Sequence, residues 1–112
     1  MLVTKSKLGY SNTVLAQGGI QASFRKKDSE KKHYLDMIKA GKDNKDLARI
    51  LSKKSKATIK WLESLGVEFD KDKNNYLLKK CSGTSAARVL SCGDITGSKI
   101  MGALIKEIKK SK

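Results

Sequence analysis

Thr4–Gly19 reads TKSKLGYSNTVLAQGG, and the rest of the chain is ordered around it. It follows a short apolar start, Leu2-Val3, and is rich in hydroxyls and amides: Thr4, Ser6, Ser11, Asn12, Thr13 and Gln17. It closes on Gly18-Gly19, where no side chain holds a ligand away from the backbone. A chain bending through Gly9 and Gly18-Gly19 presents N–H groups and small donors to something flat and polar. An ordinary polar surface loop has the same composition, so the choice depends on what flanks it.

Downstream, Ile20–Phe24 alternates apolar and polar residues and reads as a short strand. Arg25–Lys27 is a basic connector. Asp28 or Ser29 is a suitable N-cap, with Glu30 in the first turn, for a helix reaching about Ala40. Tyr34, Leu35 and Ile38 share one face of it, His33 lies beside them as a surface or half-buried residue, and Gly41 sits where a C′ glycine belongs. Asp43 or Asn44 opens the next helical stretch. Leu47, Ile50, Leu51, Thr58, Trp61, Leu62 and Leu65 follow a 3.6 period there, interrupted by Lys54. That pattern fits one long helix or two joined near Ser52–Ser55, ending at Gly66, with Trp61 in the core.

Val67–Phe69 is a short extended piece, and DKDKNN, Asp70–Asn75, is a charged turn with two asparagines that tolerate left-handed backbone. Its spaced aspartates lack the glycine and glutamate a calcium loop needs. Tyr76–Lys79 pairs back as a hairpin. Cys81–Ala87 is a small-residue loop, and Arg88–Cys92 is another strand. Asp94 or Thr96 caps the last helix, whose apolar face is Ile100, Met101, Leu104, Ile105 and Ile108. Three to four helices against a few short strands make an α+β or α/β fold.

At 112 residues the chain forms one domain at most. Only 5% of residues are aromatic, so the core rests on Leu, Ile, Val and Ala. The formal charge of +14 favours polyanions: nucleic acid, an anionic membrane or a phosphate-bearing cofactor. The positive charge is scattered as Lys pairs, and Arg, the usual reader of base edges, occurs only at positions 25, 49 and 88. No apolar run is long enough to span a bilayer. No leader-like segment opens the chain, and Cys81 and Cys92 are too far apart for a metal knuckle. Two reduced thiols in a cytoplasmic protein are the expectation. No self-contained catalytic set of Ser, His, Cys or paired carboxylates is present, so catalysis by this chain alone is not expected.

Several runs, in order, resemble the flavoprotein family of succinate dehydrogenases, fumarate reductases and L-aspartate oxidases. They are SNTVLAQGGI at Ser11–Ile20, Asp28-Ser29-Glu30 with His33, then Asp36 and Ala40-Gly41. Ile59–Phe69, IKWLESLGVEF, resembles the family's I-x-W-L-E-x-L-G-V-x-F segment. Gly83-Thr84-Ser85, Arg88-Val89-Leu90 and Asp94-Ile95-Thr96-Gly97 resemble its G-x-S…R-V-L…D-x-T-G run. The resemblance is nearest to L-aspartate oxidase and implies part of a Rossmann-like FAD-binding domain over residues 1–112.

The family's G-x-G-x-x-G pyrophosphate fingerprint does not occur in these residues. The resemblance therefore implies a partial domain, without the Gly-rich βαβ unit and without the capping domain that carries the dicarboxylate chemistry. It places Ser11, Thr13, Ala16, Gln17, Gly18 and Gly19 along the flavin. Thr4 and Lys5 fall at the ribose end, where an acidic residue is usual. Asn12 stands where many family members carry a histidine covalently joined to FAD, which implies non-covalent FAD. The implied protein is an oxidoreductase acting on a dicarboxylate, its flavin site completed by a second chain or domain, with homo-oligomers as a further expectation. A small basic polyanion- or nucleic-acid-binding protein, or a non-catalytic structural domain, is the alternative.

Overall fold

A computed structural model describes residues 1–41 and 44–111. Helix α1 spans Glu30–Ala40. Ser29 is its cap, the Oγ accepting from the Lys32 N–H at 3.1 Å. Asp28, the other candidate cap, faces away toward Arg88. Gly41 ends the helix in ordinary extended backbone, φ −149°, rather than in the left-handed conformation of a C′ glycine.

Helix α2, Lys45–Ser64, is one continuous helix. Asn44 caps it, its Oδ1 accepting from the N–H groups of Asp46 and Leu47. Asp43, the alternative cap, lies outside the described residues. Ser52 and Ser55 do not break the helix: both are buried, and their hydroxyls donate back to Arg49 O and Ser52 O. The helix ends in a Schellman motif, Val67 N–H to Leu62 O at 3.0 Å and Gly66 N–H to Glu63 O at 2.9 Å. Gly66 carries φ +95°, the backbone a side chain resists.

The buried stripe of α2 is Ala48, Ser52, Ser55, Ile59 and Leu62. This corrects the expected face: Leu47, Ile50, Leu51 and Trp61 are each more than half exposed, and so Trp61 is not core. Small residues instead face α1 and let the two helices approach. On α1 the inward residue is His33, while Leu35 is exposed and Tyr34 and Ile38 are half-buried.

Strand β1, Ile20–Gln21, pairs antiparallel with β4, Val89–Leu90, in the register Ile20 opposite Leu90. Ala22 N–H continues the ladder to Arg88 O, and then Phe24 N–H turns back to Ala22 O, so the expected strand to Phe24 stops early. β2, Lys71–Asp72, and β3, Asn75–Tyr76, form a separate hairpin. Its left-handed residue is Lys73, φ 54°, not an asparagine. Val67 and Phe69 are buried in a stretch that belongs to no helix or strand. Helix α3, Thr96–Lys110, lays Ile100, Ala103 and Leu104 on the core of Ala22, Ile59, Leu62, Val67, Phe69, Leu78, Leu90 and Cys92. Among the described residues no helix is long and apolar enough to cross a membrane.

Candidate functional site

The polar loop that precedes β1 is held against the start of α3. Asn12–Leu15 forms a single 3-10 turn with Ser11 before it and Ala16 after. Gly97 N–H donates to Ala16 O at 2.8 Å, and Thr96 Oγ1 donates to Gln17 O at 3.4 Å. Thr96 Oγ1 also accepts from the Cys92 N–H. Thr96 is therefore buried and joins loop to strand, and neither it nor Asp94 caps α3 by its side chain. The loop carbonyls occupy the positive end of the helix instead. A Cβ at Gly97 would overlap Thr13 O and come within 2.9 Å of the Ala16 Cβ, so only glycine permits this approach.

At its far end the loop is backed by β4. Gly19 has φ +130°, and a Cβ there would overlap Leu90 O and meet the Val89 side chain at 2.7 Å. Gly18 differs: a Cβ added to it meets nothing within 4 Å. Ser11, Asn12, Thr13, Gln17 and Lys5 are exposed, and among the described residues no hydrogen bond engages their side chains. Thr4 Oγ1 accepts from the Ser6 N–H, and Thr4 and Lys5 lie in an exposed bend at the start of the same segment. Tyr10, Ser11, Asn12, Val14 and Leu15 line a cleft of about 320 Å³. The residues singled out from the sequence are thus on one segment, with unspent donors on the outside and a fixed backbone inside.

Behind β4 lies a cluster that sequence reasoning did not assemble. Arg88 is fully buried and forks onto Asp28, Nε to Oδ2 at 2.9 Å and Nη2 to Oδ1 at 2.8 Å. Its Nη1 donates to Asp36 Oδ2 at 2.6 Å. The N–H and Oγ of Ser85 donate to the same Asp36 oxygen, at 2.7 and 2.8 Å. Burial pushes the Asp28 carboxyl up, but the hydrogen bonds from Arg88 and from Ser29 N–H outweigh it and hold it below the ordinary carboxylate range. Asp36 is likewise held down by Ser85 and Arg88 against its burial.

His33 sits beside this cluster, 2% exposed rather than on the surface, with no partner for Nδ1. Burial, then the Arg88 guanidinium, lower its pKa, which keeps the imidazole neutral. The cluster ties α1 to β4, and β4 in turn backs Gly19. Asp28, Asp36, Ser85 and Arg88 all fall within the family-like runs. The available signal was chemical: an Arg in a chain that otherwise uses Lys marks a place needing a planar, bidentate fork.

A small-residue loop with free donors, seated on a helix start and backed by a strand, leaves a polar, low-bulk surface on the outside of the fold. The chain belongs to the FAD binding domain family, which matches residues 1–112. It is 37% identical to an FAD-dependent oxidoreductase of Methanocaldococcus jannaschii, over 98% of this chain and 21% of that protein. It is 32% identical to an L-aspartate oxidase of Neisseria meningitidis, over 98% of this chain and 22% of that one. Its fold superimposes on Mycobacterium smegmatis Sdh1, in the apo form of that complex, with a TM-score of 0.89 and 30% identity, over 96% of this chain and 19% of that chain. The chain thus matches part of the FAD-binding domain of the succinate dehydrogenase, fumarate reductase and L-aspartate oxidase flavoproteins. It spans about a fifth of the length of the relatives it matches.

Proposed function

We propose that this chain contributes the flavin-contacting segment of an FAD-dependent oxidoreductase acting on a dicarboxylate, and that it holds FAD without a covalent bond. The observation that carries the reading is the open backbone at Gly18 beside the unspent donors of Ser11, Asn12, Thr13 and Gln17. Small donors and bare backbone suit the edges of a planar, polar ring system, and Ala16, Gly18 and Gly19 add no bulk against it. Thr4 and Lys5 lie at the other end of the segment, and their hydroxyl and ammonium suit a ribose or phosphate. FAD, when bound, supplies the hydride chemistry; the chain's own part is to bind and orient. Asn12 supports non-covalent attachment because an amide nitrogen is not the nucleophile an imidazole is.

The L-aspartate oxidase relatives support the dicarboxylate assignment. Further polypeptide, from the same protein or another chain, would complete the site and carry the substrate groups. Exposed Leu8, Tyr10 and Leu15 around the loop suit such a contact. A cytoplasmic setting belongs to the same proposal.

The test is flavin binding by the purified chain, read as quenching of FAD fluorescence in moderate salt. Saturable quenching that weakens at least fivefold in Gly18→Val is expected. Gly18 is the informative position, because a Cβ added there meets no protein atom within 4 Å. A folded protein, judged by circular dichroism, that leaves FAD fluorescence unchanged would overturn flavin binding by this chain by itself.

A further inference from the structure

The basic connector and the β2–β3 hairpin border a second cleft. It measures about 560 Å³ and is lined by Phe24, Arg25, Lys26, Asn74, Asn75, Tyr76 and Leu78. It shares no lining residue with the loop Ser11–Gly19 or the cleft beside it. Its floor is aromatic: the Phe24 and Tyr76 ring centroids are 4.6 Å apart, tilted by 49°.

The charges around it divide into two sets. Lys60 and Lys71 are already engaged. Lys60 Nζ is 2.6 Å from Tyr76 OH and 3.1 Å from Glu63 Oε2, and Lys71 Nζ is 3.0 Å from Glu63 Oε1. Both ammonium groups also lie over the Tyr76 ring, at 4.8 and 5.2 Å. These contacts fix the tyrosine and satisfy the carboxylate. Arg25 and Lys26 are different: both are exposed and, among the described residues, neither side chain makes an ion pair or a hydrogen bond. Asp72, the register partner of Asn75, is the hairpin's opposing charge. Asn74 and Asn75 add donors and acceptors of the kind that read a base edge.

From this geometry we infer that the cleft takes a nucleotide unit: a planar base against Phe24 and Tyr76, with its phosphate on Arg25 and Lys26. Base–aromatic contact tolerates any base, and a cationic rim follows the phosphate. The formal charge of +14 draws such ligands to the surface from a distance. Two sources supply this chemistry, a single-stranded nucleic acid and a free nucleotide. The inference does not rest on the flavin reading, since its residues are separate.

The experiment is fluorescence anisotropy of a labelled oligothymidylate with the whole chain, against its abasic counterpart, across a salt series. The oligothymidylate is expected to bind at least tenfold more tightly than the abasic strand. Arg25→Ala with Lys26→Ala is expected to raise Kd tenfold or more. The same pair is expected to flatten the log–log salt slope by about 0.7, the amount for one phosphate no longer neutralised. Lys106→Ala with Lys109→Ala, which removes the same charge from the end of α3, is expected to cost less than threefold. FAD quenching by the Arg25/Lys26 variant is expected to match the unaltered chain, which separates this site from the flavin loop. Competition by thymidine monophosphate at submillimolar concentration assigns the site to free nucleotides, and its absence assigns it to strands. Equal affinity for abasic and base-bearing strands, or equal loss in the two double variants, would show attraction by net charge alone and overturn the inference.

Discussion

Replacing Arg88 with Met tests the buried cluster at nearly constant volume. Methionine fills much of the arginine's space but donates nothing. Asp28, whose side chain is fully buried, loses two hydrogen bonds and its counter-charge and keeps only the Ser29 N–H. Asp36 keeps both donors of Ser85. Removing one partner of a buried ion pair costs about 3–5 kcal/mol, against a total stability of roughly 5–15 kcal/mol for a domain. With a urea slope of about 2 kcal/mol/M, a loss of about 4 kcal/mol lowers the unfolding midpoint by about 2 M.

The assay is urea denaturation followed by far-ultraviolet circular dichroism, at neutral pH and again near pH 4. In the variant the stranded Asp28 carboxyl titrates above its unfolded value, because burial, the largest influence on it, is then opposed by the Ser29 N–H without the Arg88 fork. Its protonation relieves the penalty, so the gap between the two proteins is expected to narrow toward pH 4. A midpoint shift under 0.5 M at neutral pH, or a gap that widens on acidification, would refute the assignment of Arg88 as the counter-charge that makes this burial tolerable.

Other outcomes follow from single contacts. Gly97→Ala is expected to dislodge the loop from α3, seen as faster proteolysis within residues 8–19 and FAD binding weakened at least tenfold, because the new Cβ overlaps Thr13 O. Gly66→Ala meets no neighbour within 4 Å but keeps φ +95°, so it should cost about 1 kcal/mol in thermal or urea unfolding, purely from backbone strain. Burial raises the Glu63 carboxyl, but donors from Tyr76, Lys71 and Lys60 bring it down to about 2. A lowered folded pKa means stability present above the unfolded pKa and lost as pH falls toward 2. The difference in melting temperature between the unaltered chain and Glu63→Gln should therefore shrink across that window. Asn12→His, heated with FAD and then precipitated in acid, reports attachment: flavin carried into the pellet only by the variant supports the non-covalent reading of Asn12.

What the sequence made legible was local. Ser29, Asn44 and Gly66 punctuate helices through side-chain and backbone chemistry that acts within a few residues. The loop's donor-rich face was legible for the same reason. Long-range partners were not. Leu47, Ile50, Leu51 and Trp61 outweigh Ala48, Ser52 and Ser55 in hydrophobicity, yet the small residues face inward because α1 packs there. Asp28 reads as a cap until Arg88, sixty positions later, is brought beside it. Thr96 reads as a cap too, but its hydroxyl is taken by Gln17 and Cys92, neither of which any local pattern points to.

The seating of Ala16 and Gln17 on the start of α3 has a consequence for how occupancy is reported. Whatever pins the loop also fixes the acceptor for Gly97 N–H, so fraying of the helix and departure of the loop are one opening event. A ligand favouring the closed arrangement suppresses that event by mass action. Slowed amide exchange in the first turn of α3, at groups the ligand never touches, would then serve as a remote gauge of saturation.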